Sequence, residues 1–251
     1  LGSAPAQPPP SRTWTGAAAT GNFTDSGNWS GSSVPTSAFD QDVTFSAAGT
    51  AQTIKMPSGG FTLDDITFSG ASRPAYTFVG PGTFTLTGII STTTSGGDVV
   101  FASSLGITLA RDPDNNIHTV SLADNSTVRL ESNINEVIGT AGAGSFIKSG
   151  NGTFTLSGSN SFTGGITLNA GTLNLNSATA PGTGTLIIDG GTIDNTSGVA
   201  ITLTNNNAQT WGSNFTFGGT NNLNLGTGAV SLTGNRIVTI AGGSLTVGGV
   251  I

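Results

Sequence analysis

Side chains able to do chemistry are few in this chain, and they are scattered. The single histidine, His118, sits in NNIHTVSL with no cysteine and no second histidine anywhere in the sequence. Zinc binding or a Ser-His-Asp relay needs partners that are absent here, so His118 is expected to be an ordinary surface or turn residue. RDPDNN (111–116) places Asp112, Asp114 and Asn116 at alternate positions, as a calcium loop begins, but the following Gly and the distant bidentate Glu are missing. It reads as a polar loop. Asp64-Asp65, Asp40/Asp42 and Asp189/Asp194 could pair carboxylates for polysaccharide cleavage, with Arg73, Arg111 or Arg129 as the cation. Such a site needs its acids and a cation or calcium gathered on one face. GTAGAG (139–144) has no Lys-Ser/Thr after it and is a flexible turn rather than a phosphate loop. The expectation is a chain that is not an enzyme, with no catalytic, cofactor or metal residues. Trp14 and Trp29 could stack on sugars. Their first reading is a plug for one end of the fold, and Trp211 reads as a core or corner residue.

The elements that would have to position these groups are β-strands. Gly, Thr, Ser and Asn make up 128 of 251 residues, whereas only 20 residues are charged. With 2 Lys, 2 Glu, 1 Met and 39 Gly, long helices are excluded. A net charge of −6, a mean hydropathy of +0.09 and 13 Phe also argue against disorder. Seven cations with no two adjacent exclude a nucleic-acid stripe, and no apolar run is long enough for a transmembrane helix. Strings such as DVTFS (42–46), YTFVG (76–80), GTFTLTG (82–88), STVRL (126–130), GTFTLSG (152–158), GTLNLN (171–176) and GSLTVGG (243–249) alternate with period two. Each is a strand with one buried face.

Loosely repeated strand–turn units with no helix between them suggest a solenoid, with an antiparallel sandwich as the alternative. Residues 149–251 hold only Asp189, Asp194 and Arg236 as charges. Parallel rungs stack like on like. Stacked charges repel, while Thr and Asn ladders satisfy one another. Rungs of roughly 20–25 residues rising about 4.8 Å each would give about nine rungs and a rod of roughly 45 Å. Residues 1–12 read as a flexible Pro/Ala-rich tail, 13–41 as an N-terminal capping segment and 42–251 as the solenoid.

The run SFIKSGNGTFTLSGSNSFTGGITLNAGTLNLNS (145–177) resembles the autotransporter-associated β-strand repeat, or passenger-associated transport repeat. The matching residues are Lys148, Gly150, Gly152, TFTLSG (153–158), Asn160, Phe162, Thr163, GG (164–165) and NAGTLNL (169–175), with Phe162 where the family usually has Tyr. Residues 13–46, with Trp14, Asn28-Trp29, Pro35 and Asp42-Val43-Thr44-Phe45, resemble the module that often opens such proteins. The resemblance implies a right-handed parallel β-helix outside a Gram-negative-type cell. It implies roles in structure, secretion and adhesion, and brings no catalytic residues with it.

The first residue is Leu1, and AGGSLTVGGVI (241–251) is apolar and uncharged. A removed export signal is expected from the Leu1 start, and the resemblance implies an extracellular or outer-surface location. Leu245, Val247, Val250 and Ile251 at one end, with Trp14 and Trp29 at the other, are the expected self-association residues of a head-to-tail filament. Two other readings are an autotransporter passenger segment that adheres to surface glycans or host proteins, and a polysaccharide-degrading β-helix.

Overall fold

A computed structural model describes residues 10–37, 41–46, 50–110, 117–137 and 144–251. The polar loop 111–116, Asp40 and most of GTAGAG lie outside them. Among the described residues every strand pair is parallel, and helix is confined to two three-residue 3-10 turns, Ser26–Asn28 and Ser30–Ser32. The protein is an all-β parallel solenoid, which excludes the sandwich.

Three faces wrap one interior. The first is a ten-stranded sheet running from Arg12–Trp14 to Val230–Leu232, and the second has nine strands from Gln52–Lys55 to Val238–Ile240. The third is split. Four strands run from Phe61–Leu63 to Ile134–Glu136, and three run from Ile201–Thr202 to Leu245–Thr246. Arg12, placed in the tail by sequence, already pairs with Val43 in the first sheet.

Alternation puts one set of residues inside. An inward-facing column on the first face runs Val43, Ile66, Ile90, Val120, Lys148, Leu168, Ile188, Trp211 and ends at Leu232, which is exposed on the last rung. Successive members are 23, 24, 30, 28, 20, 20, 23 and 21 residues apart. Aromatic rings stack along the axis: Phe45 on Phe68 at 5.2 Å and Phe78 on Phe101 at 4.6 Å. The outward residues repeat as well. Thr127, Thr153, Thr172, Thr192, Thr216 and Thr239 form one continuous column. Like-on-like stacking is therefore realised with hydroxyls outside and hydrocarbon inside.

Rung length follows strand count. The two 20-residue steps after Lys148 and Leu168 carry two strands per rung, because no strand lies between Leu156 and Ile166 or between Leu175 and Leu186. These shortened rungs cause the split of the third face.

Candidate functional site

The two shortened rungs coincide with the repeat-like segment, and its residues take defined structural tasks. Gly150, Gly165 and Gly171 adopt φ of +68°, +77° and +73°, values open to glycine at little cost. Gly158 has no room for a side chain, since a Cβ would lie 1.8 Å from the Ser132 carbonyl oxygen one rung below. Phe162 is fully buried and meets Phe146 edge-to-face at 5.3 Å.

Asn160 replaces the missing strand. Its buried Oδ1 accepts from Ile134 N at 3.0 Å, and its Nδ2 donates to Ala180 O at 2.8 Å. One side-chain amide thus joins the last strand of the four-stranded part of the third face to the rung above. Asn160→Ala leaves a buried N–H and a buried carbonyl without these partners. It should cost about 2 kcal/mol, read as a lower urea midpoint with an unchanged m-value.

Lys148 is the unexpected member. Its parity with Phe146 puts it inside, between Val120 and Leu168, and it is 0% exposed. Nζ donates to the carbonyl oxygens of Ser149 at 2.8 Å, Gly150 at 2.7 Å and Ala170 at 3.1 Å. Burial lowers its pKa to about 8. Three carbonyls favour the ammonium, but loss of hydration outweighs them. The residue ties a corner to the rung above and has the geometry of a structural clamp.

His118 is corrected. It lies in the strand Ile117–Leu122, points inward and is buried, with Nδ1 3.3 Å from Gly88 O. It shares parity with Val120 and Leu122, the signal that a surface reading overlooks. Arg73 is also buried, and the low polarity around it lowers its pKa, with Tyr76 and Asp98 acting in the opposite direction. Arg129 is half-exposed beside Glu131 at 3.4 Å, the one ion pair among the described residues.

The acids divide. Asp42, Asp64 and Asp65 gather so that one carboxylate oxygen of each lies within 4.8 Å of the others. Each also has a structural contact. Asp42 Oδ1 accepts from Asp65 N, Asp64 Oδ1 from Thr87 Oγ1, and Asp65 Oδ1 from Ile89 N. Asp194 is bound by Asn195 N and by the Thr220 amide and hydroxyl, which makes it a turn cap.

At the N-terminal end Trp14, Phe23 and Trp29 pack together, with Trp14–Trp29 at 5.2 Å and Phe23–Trp29 at 4.9 Å. Both indoles are buried, so neither ring has a face free for a sugar or a second chain. The sheet edges there are used internally. Lys55 N donates to Gly21 O, Phe23 N donates to Lys55 O, and Thr62 N donates to Ser37 Oγ. At the other end Val230–Leu232, Val238–Ile240 and Leu245–Thr246 are outermost in their sheets. Leu232, Ile237, Ile240, Val250 and Ile251 are exposed, while Leu245 and Val247 pack partly against the core. Val230 N donates to Val250 O, so the chain after Leu245–Thr246 returns to the edge of the first face.

Residues 146–175 match the family described as Passenger-associated-transport-repeat. This is the stretch whose glycines, Asn160 and Lys148 build the two shortened rungs, and the match bears out the resemblance read for residues 145–177. No curated protein and no solved structure matches the chain.

Proposed function

We propose that the chain is a passenger-like structural β-solenoid, secreted or displayed on the surface of a bacterial cell, with no catalytic role. The observation that carries this reading is that every motif residue traced in 146–175 is spent on turns, clamps and ladders, inside one continuous rod. Export is tested by placing the chain behind a secretion signal and labelling intact cells. Antibody binding without permeabilisation is expected, and labelling that appears only after permeabilisation removes the proposal.

A second element of the proposal is end-to-end association through the outermost rung. It is favoured by the outermost position of Val238–Ile240 and Leu245–Thr246 in their sheets and by the exposed Ile237 and Ile240. A filament requires a partner's plugged end to give up the bonds between Lys55, Gly21 and Phe23. Electron microscopy of purified protein should show rods longer than the roughly 45 Å of one chain. Monodisperse single rods at all concentrations leave the passenger reading and end the filament.

A further inference from the structure

The two poles of the rod offer a partner different things. At the N-terminal pole Trp14, Phe23 and Trp29 are buried, and Gly21, Phe23 and Ser37 already bond the backbone of Lys55 and Thr62. At the other pole Leu232 continues the inward register of Trp211, and Val238 and Ile240 continue that of Phe215 and Phe217. Leu232 is 44% and Ile240 48% exposed, whereas Phe217, one rung below, is fully buried. Residues with the parity of a core therefore lie at a surface.

The backbone is divided in the same way. Phe215 N donates to Ile237 O and Ala241 N donates to Phe217 O, so the odd-numbered residues of this strand bond toward the rung below. A parallel strand alternates the direction of its polar groups, so those of Val238 and Ile240 point along the rod and out of its end. Leu223 N donates to Ser244 O and Leu225 N to Thr246 O, which turns the polar groups of Leu245 outward as well.

Charge is nearly absent from this end. Arg236 is the one charged side chain after Asp194. Its Nε donates to Trp211 O at 2.9 Å, which holds it back against the preceding rung. An isologous contact places a patch against itself, so a charged patch repels its own copy and a neutral apolar patch does not.

We infer that the C-terminal rung binds the same rung of a second copy, tail to tail, so that association stops at two chains. This rests on the end-to-end association proposed above and names its partner. A two-fold axis across the rod makes the outermost strands meet antiparallel. Val238–Ile240 then pairs with itself, with Val238 opposite Ile240 and Thr239 opposite Thr239, and the inward side chains of two cores become continuous. Head-to-tail joining has to break the bonds among Lys55, Gly21 and Phe23, and tail-to-tail joining leaves them in place.

Thr239→Cys tests the pairing, because the chain has no cysteine of its own. Thr239 is exposed, and two facing copies form a non-hydrogen-bonded pair with Cα atoms about 4.5 Å apart, within disulfide reach. Under mild oxidation this variant should become a covalent dimer. Thr53→Cys, exposed on the same face at the other pole, should stay monomeric. Sedimentation of the native chain should give a species of twice 24.8 kDa and nothing larger. Ile240→Asp brings two carboxylates to the contact and should raise the dissociation constant about tenfold or more, with the far-UV spectrum unchanged. A dimer that Thr239→Cys does not cross-link, or that Ile240→Asp leaves intact, overturns the pairing of this rung with itself. Longer species, or a disulfide that forms only when Thr239→Cys and Thr53→Cys are mixed, overturn it too and leave the head-to-tail filament standing. Monomers at every concentration overturn end-to-end association as a whole.

Discussion

Lys148→Met is expected to lower the unfolding free energy by about 2–3 kcal/mol at pH 7. It should also remove a dependence on pH that the native chain shows. The substitution leaves the carbonyls of Ser149, Gly150 and Ala170 without the donor that joins them across two rungs. Each buried acceptor so stranded costs about 1–3 kcal/mol, and relief from burying a charge returns part of the sum. The sign of the pH effect follows from the pKa of about 8 in the fold against an ordinary 10.5. Between those values the unfolded chain holds the proton and the folded chain has released it. The cost of burying the ammonium is fully present below pH 8 and disappears as the pH rises toward 10.5. Stability should therefore climb by up to about 3 kcal/mol over that window. Urea titrations at pH 7, 8.5 and 10 measure it. A flat or falling profile in the native chain, or the same rise in Lys148→Met, would show that the ammonium is not held as described.

Gly158→Ala should cost about 3 kcal/mol or more, although it adds a single methyl group. The added carbon would sit 1.8 Å from Ser132 O and 2.4 Å from Ser132 C, both backbone atoms, so no rotamer change can make room. The rung must lift, and neighbouring bonds such as Ser157 N to Leu130 O and Asn160 Oδ1 to Ile134 N lie on either side of the strain. Gly59→Ala is the matched control. Nothing lies within 4 Å of its added carbon, and it should fall within about 0.5 kcal/mol of the native chain or gain slightly from a stiffer unfolded state. Equal midpoints for the two variants would refute the close rung contact.

The parallel architecture was legible because alternation and the lack of charge both have direct physical causes. Strands such as Thr153–Leu156 and Thr172–Leu175 bury Phe154, Leu156, Leu173 and Leu175 as their pattern requires. What composition did not reveal was polarity placed inside. Lys148 and His118 both sit on the inward parity of their strands, yet their side-chain types suggest the surface. Parity was the better guide, because a side chain pointing inward can be retained when backbone carbonyls receive it. The two-strand rungs were hidden for a related reason. Asn160 does the work of a strand with one amide, and no period in the sequence marks that substitution.

The rung arrangement also sets how the rod would respond to tension. Its first and last strands lie at opposite poles, so a pull between them loads the hydrogen bonds of one ladder at a time. Such a rod should unzip in steps rather than rupture at once. Releasing a rung of 20–24 residues frees roughly 70–80 Å of chain, while the rod shortens by about 4.8 Å. A stretched molecule would then behave as a shock absorber graded by rung length, and each yielding event would report how many residues that rung contains.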